Sequence, residues 1–358
     1  MPNNISVFQV CSILLLSVGI LNHVILIPVL LDAAGRDAVV AVGMVLALLP
    51  VWAACLTYIM KHKDQQPFRD WLQRHFGKGL SVIILAAVSV YIWLQGFVSF
   101  FDIIVWAHST YMPHTPRFAL ALLALACCLF LATGGLRSIA IVSGILLPFV
   151  VLLGFFVAAF NFKHKDYSLV LPLLADGFAP VWRGSLFAAS ALFELVLLLF
   201  LQHRLTHRPS FADVLLMIFL LAGLTIGPLM GAISIFGIEE AVLQRYPAFE
   251  QWRVLELGKY IEHLDVFAIY QWISGVFVRL SLSLFIMADV WNAKNRRPFL
   301  LLAAGTMLLA SIAPISDVRF LQFLKTVYFP FTFLLVIGLT FLFAGKTWIS
   351  RWGMKGQT

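Results

Sequence analysis

The sequence predicts an all-α integral membrane protein that crosses the bilayer many times. Three observations carry this reading. Hydrophobic residues make up 61% of the 358-residue chain and charged residues only 12%, about half the share that globular chains average. Many apolar runs reach the roughly 20 residues that a membrane-spanning helix needs. The spans leave almost nothing for a separate soluble domain, so residues 1–358 read as a single polytopic transmembrane domain. No basic stretch precedes the first span and no small-residue cleavage site follows it, so no cleavable signal peptide is expected.

Ten spans follow from the apolar runs. They cover residues 5–31, 38–60, 80–106, 118–134, 139–160, 184–202, 211–237, 265–288, 298–315 and 326–345. The first is interrupted: Ser17, Gly19 and Asn22 fall near its middle, with His23 next and Pro28 further on. Gly is a poor helix former and Asn competes for backbone hydrogen bonds. Such a stretch either kinks within a continuous helix, its small residues serving close packing, or unwinds where protein satisfies the freed groups. The sixth span carries Gly184, Ser185, Ser190 and Glu194. Paired interruptions at matching positions of two halves point to a midplane site, and ten spans divide into two inverted halves of five. No period of 20–50 residues repeats, which excludes a solenoid.

Loop charge sets the orientation. With the N-terminus inside, cytoplasmic segments hold fourteen of the 25 Lys and Arg residues, including Lys61, Lys63, Arg69, Arg74, Lys78, Lys294, Arg296 and Arg297. The +8 net charge is therefore a matter of topology and inner-leaflet lipid rather than of nucleic acid. Two connections are long. Residues 66–76 place Phe68, Trp71, Leu72 and Phe76 at helical spacing, which predicts a short helix along the inner surface. Residues 238–264 carry Glu239, Glu240, Glu250, Glu256 and Glu262, and the run 250–260 reads as an amphipathic outer helix. A lid, a docking face for a partner and a solvated cap all fit that loop.

Charge within the membrane is the sharpest chemical signal, because a basic or Asp residue at a helix centre costs about 2.5–3.5 kcal/mol on insertion scales. Glu194 lies in the middle of the sixth span, and Arg279 near the middle of the eighth, followed by Ser281 and Ser283. Glu194 is either a ligand or proton group or the partner that neutralises Arg279. Arg279 keeps its proton, so it is a fixed charge able to bind backbone carbonyls. Asp102 sits toward the outer end of the third span, within reach of the interface. Tyr91 and Gln95 share a helix face that can line a cavity. Cys11, Cys55, Cys127 and Cys128 lie in apolar spans as small hydrophobes, without metal or disulfide spacing. There is no phosphate-binding loop, zinc signature or nucleophile–base pattern, so neither an enzyme nor a cofactor is expected.

Several stretches resemble the B subunits of bacterial spore germinant receptors. Ala34-Gly35-Arg36-Asp37-Ala38 is similar to that family's Ala-Gly-Arg-Asp-Ala-Trp stretch, with Val39 here in place of Trp. Tyr246-Pro247 before an outer helix, the acidic Glu194, and the run from Trp272 to Ser281 also match, with Arg279 where the family usually has Lys. The resemblance implies the amino acid–polyamine–organocation fold: a five-plus-five inverted repeat with broken first and sixth helices. It implies a sensor of small amino acids in the spore inner membrane that works with an A and a C subunit. The ligand carboxylate would meet backbone amides near Gly19, Leu21 and Asn22. The amine would face Ser190 and Glu194 on the sixth helix, with Tyr91 and Gln95 closing the pocket. A proton-coupled amino acid transporter on the same fold and a structural scaffold are the competing readings.

Overall fold

The computed structural model describes residues 4–63, 65–256, 264–293 and 295–355, and these are helical with no strand among them. Every expected span falls on a helix. Helix α1 (Val7–Ile20) continues through a π-helical turn, Leu21–Ile25, into α2 (Leu26–Ala34). There follow α3 (Ala38–Lys63), α4 (Phe68–Thr110), α5 (Arg117–Thr133) and α6 (Leu136–Phe160). The sixth span comprises α7 (Phe178–Leu192), a 3-10 turn Phe193–Val196 and α8 (Leu197–Leu201). Then come α9 (Phe211–Leu243), the short α10 (Pro247–Arg253), α11 (Val266–Val290) and α12 (Arg296–Ser311). The tenth span comprises α13 (Asp317–Phe323), a second π turn Leu324–Tyr328 and α14 (Phe329–Lys355).

Local sequence explains where these helices start. Ser6 and Gln9 form a reciprocal capping box at α1, and Ser210 and Asp213 form another at α9. Among the described residues, seven helical stretches are long and apolar enough to span a bilayer, and the first of them, Val7–Lys63, joins two expected spans. This is an all-α membrane protein.

The sixth span is longer than its apolar core suggests: its helical run covers Phe178–Arg204. The interruption in the first span takes the form of a π turn, not an unwound segment. The Leu21 amide donates to the Val18 carbonyl and the Leu26 amide to the Leu21 carbonyl, so these amides are not free as the resemblance implied.

The two long connections are anchored. At Gly77 (φ 72°) α4 bends, setting residues 68–76 apart from the span. That segment does more than lie along a surface. Phe68 and Trp71 are buried, with Phe68 edge-on to Phe200 of α8 and Trp71 edge-on to Phe343 of α14. Helix α10 is shorter than the run 250–260 and starts earlier, at Pro247, because proline suits a first helical turn. Residues 257–263 lie outside the described residues. Phe249 and Trp252 of α10 are buried, and Gln251 donates to the Pro228 carbonyl of α9. It is a packed cap on the outer end, the ends being named from the loop charges.

Neighbour relations repeat between the two halves of the chain. The first span packs on the fifth through α1 and α6, and the sixth on the tenth through α7 and α14. Likewise α3 packs on α7 as α9 packs on α2, and α4 on α12 as α11 on α5. The core sits where α1, α4 and α11 meet. There Gly275 permits close approach, since a Cβ on it would stand 2.8 Å from Ile20 Cβ. Arg279, one turn further along α11, is thereby carried against α1.

Candidate functional site

The centre of the bundle is a buried polar network built on Glu194 and Arg279. Both are essentially excluded from solvent, at 0% and 1% exposure. The guanidinium grips the carboxylate with both arms: Nη1 donates to Oε2 at 2.6 Å and Nη2 to Oε1 at 2.8 Å. Nη1 also donates to the Ser17 carbonyl at 2.8 Å, and Nε to the Gln95 carbonyl at 3.2 Å. Tyr328 completes the set. Its hydroxyl donates to Glu194 Oε1 at 2.7 Å and lies 3.2 Å from Arg279 Nη2.

Irregular helix turns supply three corners of this arrangement. Glu194 lies in the 3-10 turn of the sixth span and Tyr328 in the π turn of the tenth. The Ser17 carbonyl would ordinarily accept from the Leu21 amide in an α-helix, but that amide donates to Val18 instead. Arg279 takes the carbonyl in its place. A buried ion pair is stable when its geometry is good and its remaining protons are matched. Each guanidinium nitrogen of Arg279 and each carboxylate oxygen of Glu194 has a partner here. Arg279 thus meets Glu194 and two backbone carbonyls at once.

The other sequence candidates divide into two groups. Tyr91 and Gln95 join the centre: Gln95 Nε2 donates to the Tyr91 hydroxyl at 2.7 Å, and the Gln95 carbonyl accepts from Arg279. The rest serve helix contacts. Asn22 donates to the Val18 carbonyl and accepts from Thr225 of α9 at 3.1 Å. Gly19 faces Leu224 of α9, and His23 lies 3.3 Å from the Leu224 carbonyl. Leu21 is buried in the core. Ser190 donates to the Phe329 carbonyl at 2.9 Å, Ser281 to the Cys128 carbonyl at 3.1 Å, and Ser283 packs beside Gly96.

Sequence reasoning named Ser17 only as part of the first-span interruption, and it missed Tyr328 and Thr225. It also placed Asp102 within reach of the interface, whereas Asp102 is fully buried. Its Oδ1 accepts from Arg245 Nη2 at 2.5 Å and lies 3.4 Å from the Tyr246 hydroxyl. Arg245 stacks over the Tyr246 ring at 4.4 Å, and Tyr246 packs edge-on to Trp272. Burial, and then the Asp102 charge, push the Tyr246 phenol well above the usual tyrosine range, so it stays protonated.

The inner end has its own cluster. Asp289, at the foot of α11, meets His203 at 2.9 Å, Arg204 at 2.6 Å and Arg296 at 3.0 Å. Beside it the Ile5 amide donates to the Arg204 carbonyl and the Thr206 amide to the Ile5 carbonyl, tying the N-terminal segment to the end of the sixth span. The signal for this cluster was available as a carboxylate near the end of an apolar run.

A family model of spore germination proteins matches residues 4–318. The chain belongs to the spore germination protein family. It is 38% identical over 356 residues to spore germination protein XB of Bacillus anthracis, covering 99% of each chain. It is therefore a germination-related integral membrane protein of the kind found in spore-forming bacteria.

Proposed function

We propose that this chain is the germinant-sensing membrane subunit of a receptor in the spore inner membrane. It binds a small amino acid or similar nutrient at mid-depth and signals to partner A and C subunits. The observation that carries this reading is the Glu194–Arg279–Tyr328 network. It draws together the first, third, sixth, eighth and tenth spans through one pair of charges. A ligand amine that competes for Glu194 loosens the hold on Arg279, and with it the contacts to Ser17 and Gln95. Such a ligand shifts the helix arrangement only if it binds the two arrangements unequally. Tyr91 and Gln95 border the side-chain space, and the helix around Gly19, Leu21 and Asn22 offers amides to the carboxylate once its π turn opens. The interrupted turns of the first and sixth spans and the repeated neighbour relations support a five-plus-five inverted repeat.

Arg279 supplies a fixed positive charge between the first and eighth spans, so the response is expected to be independent of sodium. The reading is tested by reconstituting the purified chain in liposomes with an imposed inward proton gradient. Radiolabelled alanine and other small amino acids are then followed. Saturable binding without gradient-driven accumulation supports a sensor. Accumulation abolished by Glu194→Gln makes the protein a transporter, and absence of binding leaves a scaffold. Cysteines at Lys61 and Glu240, in a chain lacking the four native cysteines, should react with an impermeant thiol reagent from opposite sides.

A further inference from the structure

A cavity of about 390 Å³ lies at the inner end, where α5 and α11 finish and α6 and α12 start. Phe130, Ser138, Phe285, Arg296, Arg297 and Leu300 line it. The volume falls within the roughly 300–1,000 Å³ typical of small-molecule sites.

Its charge is one-sided. No acidic side chain lines it among the described residues. The Arg296 side chain is 41% exposed, and its guanidinium lies over the Phe285 ring. It shares Asp289 with Arg204, so one carboxylate answers two guanidinium groups. Arg297 is exposed and forms no ion pair among the described residues. Helices α6 and α12 both begin at this cavity without a side-chain cap, and helix starts carry partial positive charge. Such a wall favours an anion, and a phosphate suits the guanidinium fork.

The rim indicates which anion. Phe130 is 82% exposed, and Leu301 and Leu302, beside the arginines on α12, are exposed as well. Exposed apolar side chains of a span face acyl chains. The cavity therefore sets a cationic wall at headgroup depth next to an apolar surface. A lipid presents a phosphate and a tail in that order, whereas a soluble anion offers nothing to Phe130.

We propose that this inner cavity binds one anionic phospholipid, its phosphate against Arg296 and Arg297 and an acyl chain over Phe130. General attraction of loop charge to the leaflet would act at every exposed cation, but a built site acts at these two. The inference does not rest on the central network being a ligand site.

The test uses the purified full chain, stripped of lipid in neutral detergent. Bound lipid is counted by native mass spectrometry during titration with phosphatidylglycerol or phosphatidylcholine of matched chains. The first phosphatidylglycerol should bind roughly tenfold more tightly than phosphatidylcholine, or better, because two basic groups meet its phosphate. Arg297→Gln, at an exposed position, should lower phosphatidylglycerol affinity about fivefold and leave phosphatidylcholine unchanged. Arg297→Lys should keep part of the preference. Arg208→Gln removes an equally exposed inner cation outside the cavity and should change nothing. Equal affinity for the two lipids, or equal losses in Arg297→Gln and Arg208→Gln, would overturn the proposal. Displacement of the lipid by glycerol phosphate at the same concentration would make the site one for a soluble anion and overturn it as well.

Discussion

Two arginine–carboxylate pairs among the described residues of this membrane protein, Arg279–Glu194 and Arg245–Asp102, differ in how completely they are matched. At the centre, Arg279 spends all three nitrogens on Glu194, Tyr328 and two backbone carbonyls. At the outer end, Arg245 spends one nitrogen on Asp102 and covers its face with the Tyr246 and Phe320 rings, leaving Nε and Nη1 without acceptors. The central pair is a closed unit that joins helices. The outer pair is half-closed and borders a cavity. Burial alone therefore does not tell a fully matched charge from a partly matched one. What separates them is the number of donors left over.

Removing one partner should cost most where the other is most deeply buried. Arg279→Ala strands the Glu194 carboxylate among five spans, and a loss of about 3–5 kcal/mol is expected. It should show as greatly reduced membrane abundance and a lower melting point in detergent. Arg279→Lys should recover part of it. Normal abundance and melting of the alanine variant would show that the central pair holds nothing together.

Replacing both partners is the sharper experiment. A double variant, Glu194→Met with Arg279→Met, removes both buried charges and should be more stable than either single variant by at least about 2 kcal/mol. Ligand response should nevertheless be absent from it. A double variant no better than the singles would mean that the network is held by the Ser17 and Gln95 carbonyls rather than by the charge pair.

The outer pair should be more forgiving. Asp102→Asn keeps an acceptor for Arg245 and Tyr246 while removing the charge, and the aromatic face still covers the guanidinium. A cost of about 1–2 kcal/mol is expected from thermal unfolding. A loss as large as that of Arg279→Ala would erase the contrast between the two pairs.

Tyr328→Phe should have the smallest effect. It removes one hydrogen bond from a carboxylate that keeps both arms of Arg279, for about 0.5–1 kcal/mol. The readout of interest is ligand affinity, which should change more than stability if the tenth span reports on Glu194. An unchanged affinity would leave Tyr328 a packing residue.

The sequence by itself determined the membrane class, the positions of the spans and the two charges that had to be explained. Each is a local property: apolar length compared with bilayer thickness, and the cost of ionisable groups within it. It also marked the first and sixth spans as irregular, because Gly, Ser and Asn announce themselves wherever the chain puts them. Only the tertiary structure decided which groups meet. Arg279 and Glu194 lie 85 positions apart, and Arg245 and Asp102 lie 143 apart. Tyr328 stands in an ordinary apolar run that gives no hint of a carboxylate beside it. Whether the interruption in the first span became a π turn or an unwound segment depended on a guanidinium arriving from α11 to take the Ser17 carbonyl. Backbone groups freed within a bundle are satisfied by whatever side chain the packing delivers, and that delivery is a property of the assembled helices.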